Sequence, residues 1–291
     1  MAETNPNEIA VYPTMVVGLG GTGCKIAKRL KRTLNAEGVA ALNIKFVGID
    51  TDLAESSARN EAELPLDRFI TIGGQPVHFD PNDRSNEPLL SWLPTDDSGK
   101  MLVGASNLGA GQGAGGHRLM GRFAYNYFAP NQFINLQQTI DQLLDLGVNP
   151  LAQQWEGIQF KYLPGMAVYV IGSLVGGTGS GIFLDTLATL HHLTGRALAD
   201  RTRFFSGLFL LPSVFDYRAI GSQSYDHSAT AYACLKDLDL LLERDDPDLH
   251  SFWFYNEPRP YTPTQRLLDS CYLVDRYSGS GALMTDEDVY D

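Results

Sequence analysis

Gly172-Ser-Leu-Val-Gly-Gly-Thr-Gly-Ser-Gly181 puts five glycines into ten residues. Such a run makes a loop for anions. Without Cβ atoms the backbone takes φ > 0 and comes close to a ligand. Its N–H groups turn inward, and a following helix adds further N–H groups and a partial positive charge. Gly176, Gly177 and Gly179 supply the backbone, and Thr178 and Ser180 each offer a hydroxyl donor. The chemistry expected here is phosphate binding. No Lys follows the glycines, so this is not a Walker A loop.

Two further glycine runs share this character. In Gly18-Leu-Gly-Gly-Thr-Gly23, residues Gly18, Gly20 and Gly23 fit G-x-G-x-x-G, with Gly21 and Thr22 inside it. Leu108 to Gly116 contains Gly111, Gly113 and Gly115 and leads into His117-Arg118. An arginine in the first turn of a helix opposes the helix dipole unless an anion sits there. Arg118 thus has two readings, a phosphate contact or a salt bridge to a nearby carboxylate. His117 reads as structural.

Asp50-Thr51-Asp52 is the acidic counterpart. Just past a strand, a carboxylate can take ribose hydroxyls in a dinucleotide-binding domain, about 20 residues after the glycines. It can hold Mg²⁺ in a phosphate site, directly or through water. It can also cap a helix starting near Leu53, and capping is compatible with either role.

These residues need elements to hold them. Apolar runs at Thr14–Gly18, Ile44–Ile49 and Met166–Ile171 read as buried parallel strands. Arg68–Ile72, Phe204–Leu211 and Cys271–Val274 are further strands, and Ser251–Tyr255 is aromatic and strand-like. Helical spacing recurs in Ile26–Leu34, beyond Arg118 to Tyr127, in Phe133–Leu146, in Ile182–His192 and in Ala229–Leu242. His191 and His192 are adjacent on a helix and cannot share a face, so no metal pair is expected. Gly73–Lys100 reads as a surface excursion. Ser278–Gly281 reads as a turn, and Thr285–Asp288 as the capped first turn of a further helix. Strands alternating with helices predict an α/β fold: three α/β/α layers around a mostly parallel, Rossmann-like sheet of about six strands. Ligands bind at the carboxyl ends of such strands, where all three glycine runs fall.

The 291 residues suit one large domain or one and a half, and 44% are hydrophobic. A formal charge of −12 argues against a nucleic-acid surface, so an anionic ligand must be held by local dipoles and a metal. Cys24, Cys234 and Cys271 lie far apart and fit a reducing compartment. Met1–Pro13 is polar and acidic, reads as a tail, and lacks signal-peptide features. No apolar run spans a membrane. A cytoplasmic protein is expected.

Val175-Gly-Gly-Thr-Gly-Ser-Gly181 resembles the signature loop of the tubulin/FtsZ superfamily, G-G-G-T-G-[ST]-G. The other runs agree in order. Gly20–Gly23 resembles the family's first phosphate loop, and Gly109–Gly116 its third. Asp50-Thr-Asp52 resembles the N-T-D segment, with Asp52 at the position near Mg²⁺ and the terminal phosphate. Pro212–Arg218, with Asp216 and Arg218, resembles the loop around the ribose. Asn256 falls where the family reads the guanine edge. The likeness is stronger to bacterial tubulin-like proteins than to FtsZ itself. It implies a GTP/GDP site with Mg²⁺, longitudinal self-association into filaments, and hydrolysis coupled to assembly.

The chain also departs from that pattern. Val175 replaces the first signature glycine, Asp50 replaces an asparagine, and the Gly73–Lys100 and Asn256–Val274 stretches are longer than in FtsZ. The family's catalytic acid follows a long central helix, which would begin near Asp286. The acid is thus expected beyond residue 291, with residues 14–291 forming the nucleotide-binding domain. Such a chain alone would bind GTP weakly, without turnover, and would associate through a bared sheet face. The alternative is a Rossmann-type NAD(P)- or ATP-binding enzyme using Gly18–Gly23 and Asp50, which leaves the later glycine runs unexplained.

Overall fold

The computed structural model describes residues 8–38, 43–53, 65–74, 113–147, 154–155, 157–199, 201–218, 227–242, 252, 261 and 266–277. The strands are β1 (Glu8–Val11), β2 (Thr14–Leu19), β3 (Ile44–Asp50), β4 (Arg68–Thr71), β5 (Gln154–Trp155), β6 (Ile158–Tyr162), β7 (Gly165–Ser173), β8 (Thr202–Leu210) and β9 (Ser270–Val274). The helices are α1 (Gly20–Ala36), α2 (Arg118–Tyr127), α3 (Ala129–Gly147), α4 (Gly177–Leu198) and α5 (His227–Leu242), with a 3-10 helix at Pro212–Arg218.

Six strands form one sheet in the order β4-β3-β2-β7-β8-β9. Every neighbouring pair is parallel. Counted along the sheet's own strands, this is the doubly wound order 3-2-1-4-5-6, which reverses direction between β2 and β7. Parallel strands must be buried on both faces. On one face Met15, Val17, Val168 and Val170 pack with Phe123 of α2, Leu136 and Ile140 of α3, and Ile182 and Phe183 of α4. On the other, Val16, Phe46 and Ile171 pack with Ala27 and Ile26 of α1. The three layers expected from the sequence are present.

Two features differ from the sequence reading. Residues 8–11, expected to be tail, form β1. It pairs in parallel with β6, and β5 pairs antiparallel with β6, giving a second sheet ordered β1-β6-β5. β1 and β6 lead into β2 and β7 across Tyr12-Pro13 and Leu163-Pro164. Proline has no N–H to give to a ladder, so each double-length strand divides there. The small sheet therefore lies at the amino ends of β2 and β7.

The second difference is where the helices start. α1 begins at Gly20 and α4 at Gly177, inside the glycine runs. Glycine's poor helix propensity hid these first turns. Among the described residues no helix is long and apolar enough to cross a membrane. The expected strand at Ser251–Tyr255, the turn at Ser278–Gly281 and the helix from Thr285 lie outside the described residues; Phe252 alone is described, bridged to Tyr261.

Candidate functional site

β2 and β7 are neighbours, so the helices after them start side by side at the carboxyl edge of the sheet. Leu19 precedes α1 and Gly176 precedes α4, both extended, and neither helix carries a side-chain cap hydrogen bond or an acidic residue in its first turn. Two uncapped helix N-termini thus aim N–H groups and partial positive charge at one place.

A cleft of about 200 Å³ lies there. Gly20, Gly21 and Thr22 line it from α1, Ser173 and Gly176–Gly179 from β7 and α4, Asp50 and Asp52 from the end of β3, and Gly113–Gly116 from the turn before α2. Four separate stretches of sequence meet in it. This volume is below the roughly 300–1,000 Å³ typical of a site for a whole small molecule. It fits the phosphate end of a nucleotide.

The glycines are fixed by sterics. Gly20 has φ +67°, and a Cβ there would lie 3.0 Å from the Gly179 backbone nitrogen. A Cβ on Gly177 would lie 2.8 Å from the His117 nitrogen and 2.9 Å from the Ala114 side chain. The signature run and the third glycine run are therefore in backbone contact.

The acidic side is tied to the same wall. Thr51 Oγ1 and Thr178 Oγ1 share a buried hydrogen bond of 2.6 Å. Asp50 is buried, and its Oδ1 accepts the N–H groups of Thr51 at 2.7 Å and Asp52 at 3.3 Å. That carboxylate shapes the turn that carries Asp52 into the cleft.

Some expected site residues stand elsewhere. Gly23 packs: its Cβ would lie 2.3 Å from the Ile171 carbonyl oxygen. The Ser180 hydroxyl donates back to the Gly176 carbonyl and is fully buried, so it is not a free donor. Of the two readings of Arg118, the structure has the salt bridge. Its guanidinium pairs with Asp237 and donates from Nε to the Ser180 carbonyl at 3.0 Å, away from the cleft lining. Asp216 and Arg218 fall in the 3-10 helix after β8, with side chains outside the described set. Gly111 and Asn256 lie outside the described residues. Leu19, Ala114, Gly116 and Ser173 line the cleft as well. All four sit within or beside the glycine runs, which is their local signal.

Behind the cleft, α2 and α4 are joined by charge. Arg122 Nε meets Asp185 Oδ2 at 3.1 Å. Burial pushes the Asp185 carboxyl above its ordinary range, against the pull of Arg122. Tyr125 donates to Thr189 Oγ1 at 3.0 Å across the same interface.

Residues 15–291 match a family model described as tubulin like. No curated protein sequence matches the chain significantly. Among solved structures, the chain is similar to CetZ2 of Haloferax volcanii in a GTPγS-bound protofilament, with 17% identity, 96% of this chain and 53% of that one covered, and a TM-score of 0.46. It is similar to an FtsZ variant of M. jannaschii (18% identity, 78% and 43% covered, TM-score 0.43). It is also similar to TubZ of Clostridium botulinum phage c-st (12% identity, 77% and 46% covered, TM-score 0.40). The chain spans about half the length of these proteins, between 43% and 53%. With the family model matching from Met15 to the last residue and the signature run lining the cleft, the chain belongs to the tubulin-like family.

Proposed function

We propose that this chain is the nucleotide-binding domain of a GTP-binding, filament-forming cytoskeletal protein of the cytoplasm. One observation carries the reading: two uncapped helix N-termini and a third glycine turn converge on a single cleft whose far wall is acidic. Polyphosphate suits the glycine walls. Mg²⁺ suits the acidic wall, because it is usually held by one or two carboxylates plus phosphate oxygens. Asp52 is the proposed metal-side carboxylate, with Asp50 and Thr51 setting its turn.

In this reading Gly20–Thr22, Gly113, Gly115 and Gly176–Gly179 hold the phosphates through backbone N–H groups, and Thr178 fixes the phosphate wall to Thr51. Asp216 and Arg218 are proposed for the ribose side, and Asn256 for guanine. Phosphoryl transfer needs mainly positioning and charge stabilisation, which such walls provide. Bound Mg²⁺ would neutralise charge on the terminal phosphate. No residue of this chain is assigned as the catalytic acid; longitudinal contact with a neighbouring subunit of the whole protein is proposed to bring it.

The Rossmann-type NAD(P)- or ATP-binding alternative accounts for Gly18–Gly23 and the strand order. It gives no guest to the wall formed by Gly113–Gly116 and Gly176–Gly179. Calorimetric titration with GTP, ATP and NAD in Mg²⁺ decides the matter. Saturable binding of GTP, weaker for ATP and absent for NAD, is expected. Preference for NAD would overturn the proposal.

A further inference from the structure

Arg118 sits in the first turn of α2, where its charge opposes the dipole of its own helix. The anion that offsets it comes from the fold. Asp237 of α5 pairs with the guanidinium, which also donates to the Ser180 carbonyl in the first turn of α4. One side chain therefore joins α2, α4 and α5. Beside the apolar packing of Ala231 and Leu238, a further polar link from α5 lies one turn earlier on the same face. The Cys234 thiol is buried 3.7 Å from the carbonyl oxygens of both Leu174 and Ser180.

α2 and α4 do not need this link to stay together. A Cβ on Gly121 would lie 2.3 Å from the Gly177 carbonyl oxygen, and one on Gly181 would lie 2.3 Å from the Arg118 carbonyl oxygen. Those backbones already touch. What Arg118 adds is a charged anchor from that crossing to α5, the helix that follows the Pro212–Arg218 segment in the chain.

We propose that the Arg118–Asp237 pair is a positioning tie. It holds the starts of α2 and α4 against α5, and so sets how firmly the two glycine walls grip phosphate without touching the ligand. The inference rests on reading the cleft as a phosphate site.

The test uses the whole chain and calorimetric titration with GTP and with GMP. Arg118→Met and Asp237→Asn should each weaken GTP about fivefold, at the low end of coupling between distinct sites. GMP, with one phosphate, should change much less. The double variant should lose no more than either single one, since the pair acts as a unit. Arg118→Lys keeps a charge for Asp237 but loses the planar fork that also reaches Ser180, and should fall between. Unliganded melts show that each variant is folded.

Unchanged or tighter GTP binding in Asp237→Asn beside weaker binding in Arg118→Met would overturn the tie and make Arg118 a direct phosphate contact. Additive losses, or equal losses for GTP and GMP, would also overturn it. Gly177→Val is the control for the site. If the wild-type chain ignores GTP or Gly177→Val leaves it intact, the phosphate site itself fails. If Gly177→Val weakens GTP and the tie variants do not, only the tie fails.

Discussion

Thr178 shows how one hydroxyl serves both the wall and the acidic turn. Its 2.6 Å bond to Thr51 is buried. Thr178→Ala should cost ~1 kcal/mol of GTP affinity, more if the hydroxyl meets a charged oxygen once ligand is present. Gly177→Val should do worse, because the new side chain collides with the backbone at His117. Titration of both variants checks this, and unchanged affinity in both would sink a shared site. Asp52→Ala should weaken nucleotide mainly when Mg²⁺ is present; an equal loss with EDTA, or a loss of stability alone, would make Asp52 a structural cap. His191 is the residue with a pH signature. Its ring stacks on Phe205 with centroids 3.7 Å apart, and Nε2 faces the Leu267 carbonyl at 2.9 Å. Burial pushes its pKa down to about 4, below the 6.5 of an ordinary histidine. The unfolded chain therefore takes up the proton first. The contribution is fully present above pH 6.5 and is lost as pH falls towards 4, on the order of 3 kcal/mol in all. Urea melts of wild type and His191→Phe from pH 7 to pH 4 should show that loss in the wild type only.

At the scale of elements, the decisive contact is the crossing of α2 and α4. Both helices begin beside the cleft, and the glycines between them set the distance of approach. Gly121→Ala would place a methyl group 2.3 Å from the Gly177 carbonyl oxygen, which is backbone and cannot swing aside. The helices must separate. The expected cost is about 1–3 kcal/mol, typical of overpacking. GTP affinity should fall with it, because Gly177 belongs to the cleft wall. A lowered urea midpoint with unchanged GTP affinity would show that the crossing does not govern the site.

For the whole molecule, binding and folding are linked because the cleft exists only when β2, β3, β7 and the turn before α2 are assembled. A ligand that binds only the folded chain stabilises it by about 2.7 kcal/mol at a hundredfold excess over Kd. GTP with Mg²⁺ should therefore raise Tm in a concentration-dependent way, and NAD should not. A scanning-calorimetry series tests this, and equal shifts from both would argue against a guanine-nucleotide site. Steady GTP hydrolysis by residues 1–291 would place the catalytic acid within this chain, against the expectation from the family pattern.

The sequence alone determined the strands of the main sheet and the helices behind them, because apolar runs and helical spacing are local signals. It also marked out three glycine-rich runs and the acidic Asp50–Asp52 segment, because so many glycines in short stretches stand out from composition alone. It did not disclose β1, where Glu8, Ile9 and Ala10 are exposed and only Val11 is half-buried, so no alternating burial pattern marks it. The alternation Ile-Gln-Phe-Lys-Tyr in β6 is, by contrast, a local strand signal. Tertiary structure decided what each member of a run does. Gly20, Gly177 and Gly179 face the cleft, whereas Gly23 is pressed on Ile171 and the Ser180 hydroxyl turns back on its own helix. It also supplied Asp237 as the anion for Arg118 from 119 residues away. Local sequence shows that a charge needs a partner, but only the folded chain brings the partner to it.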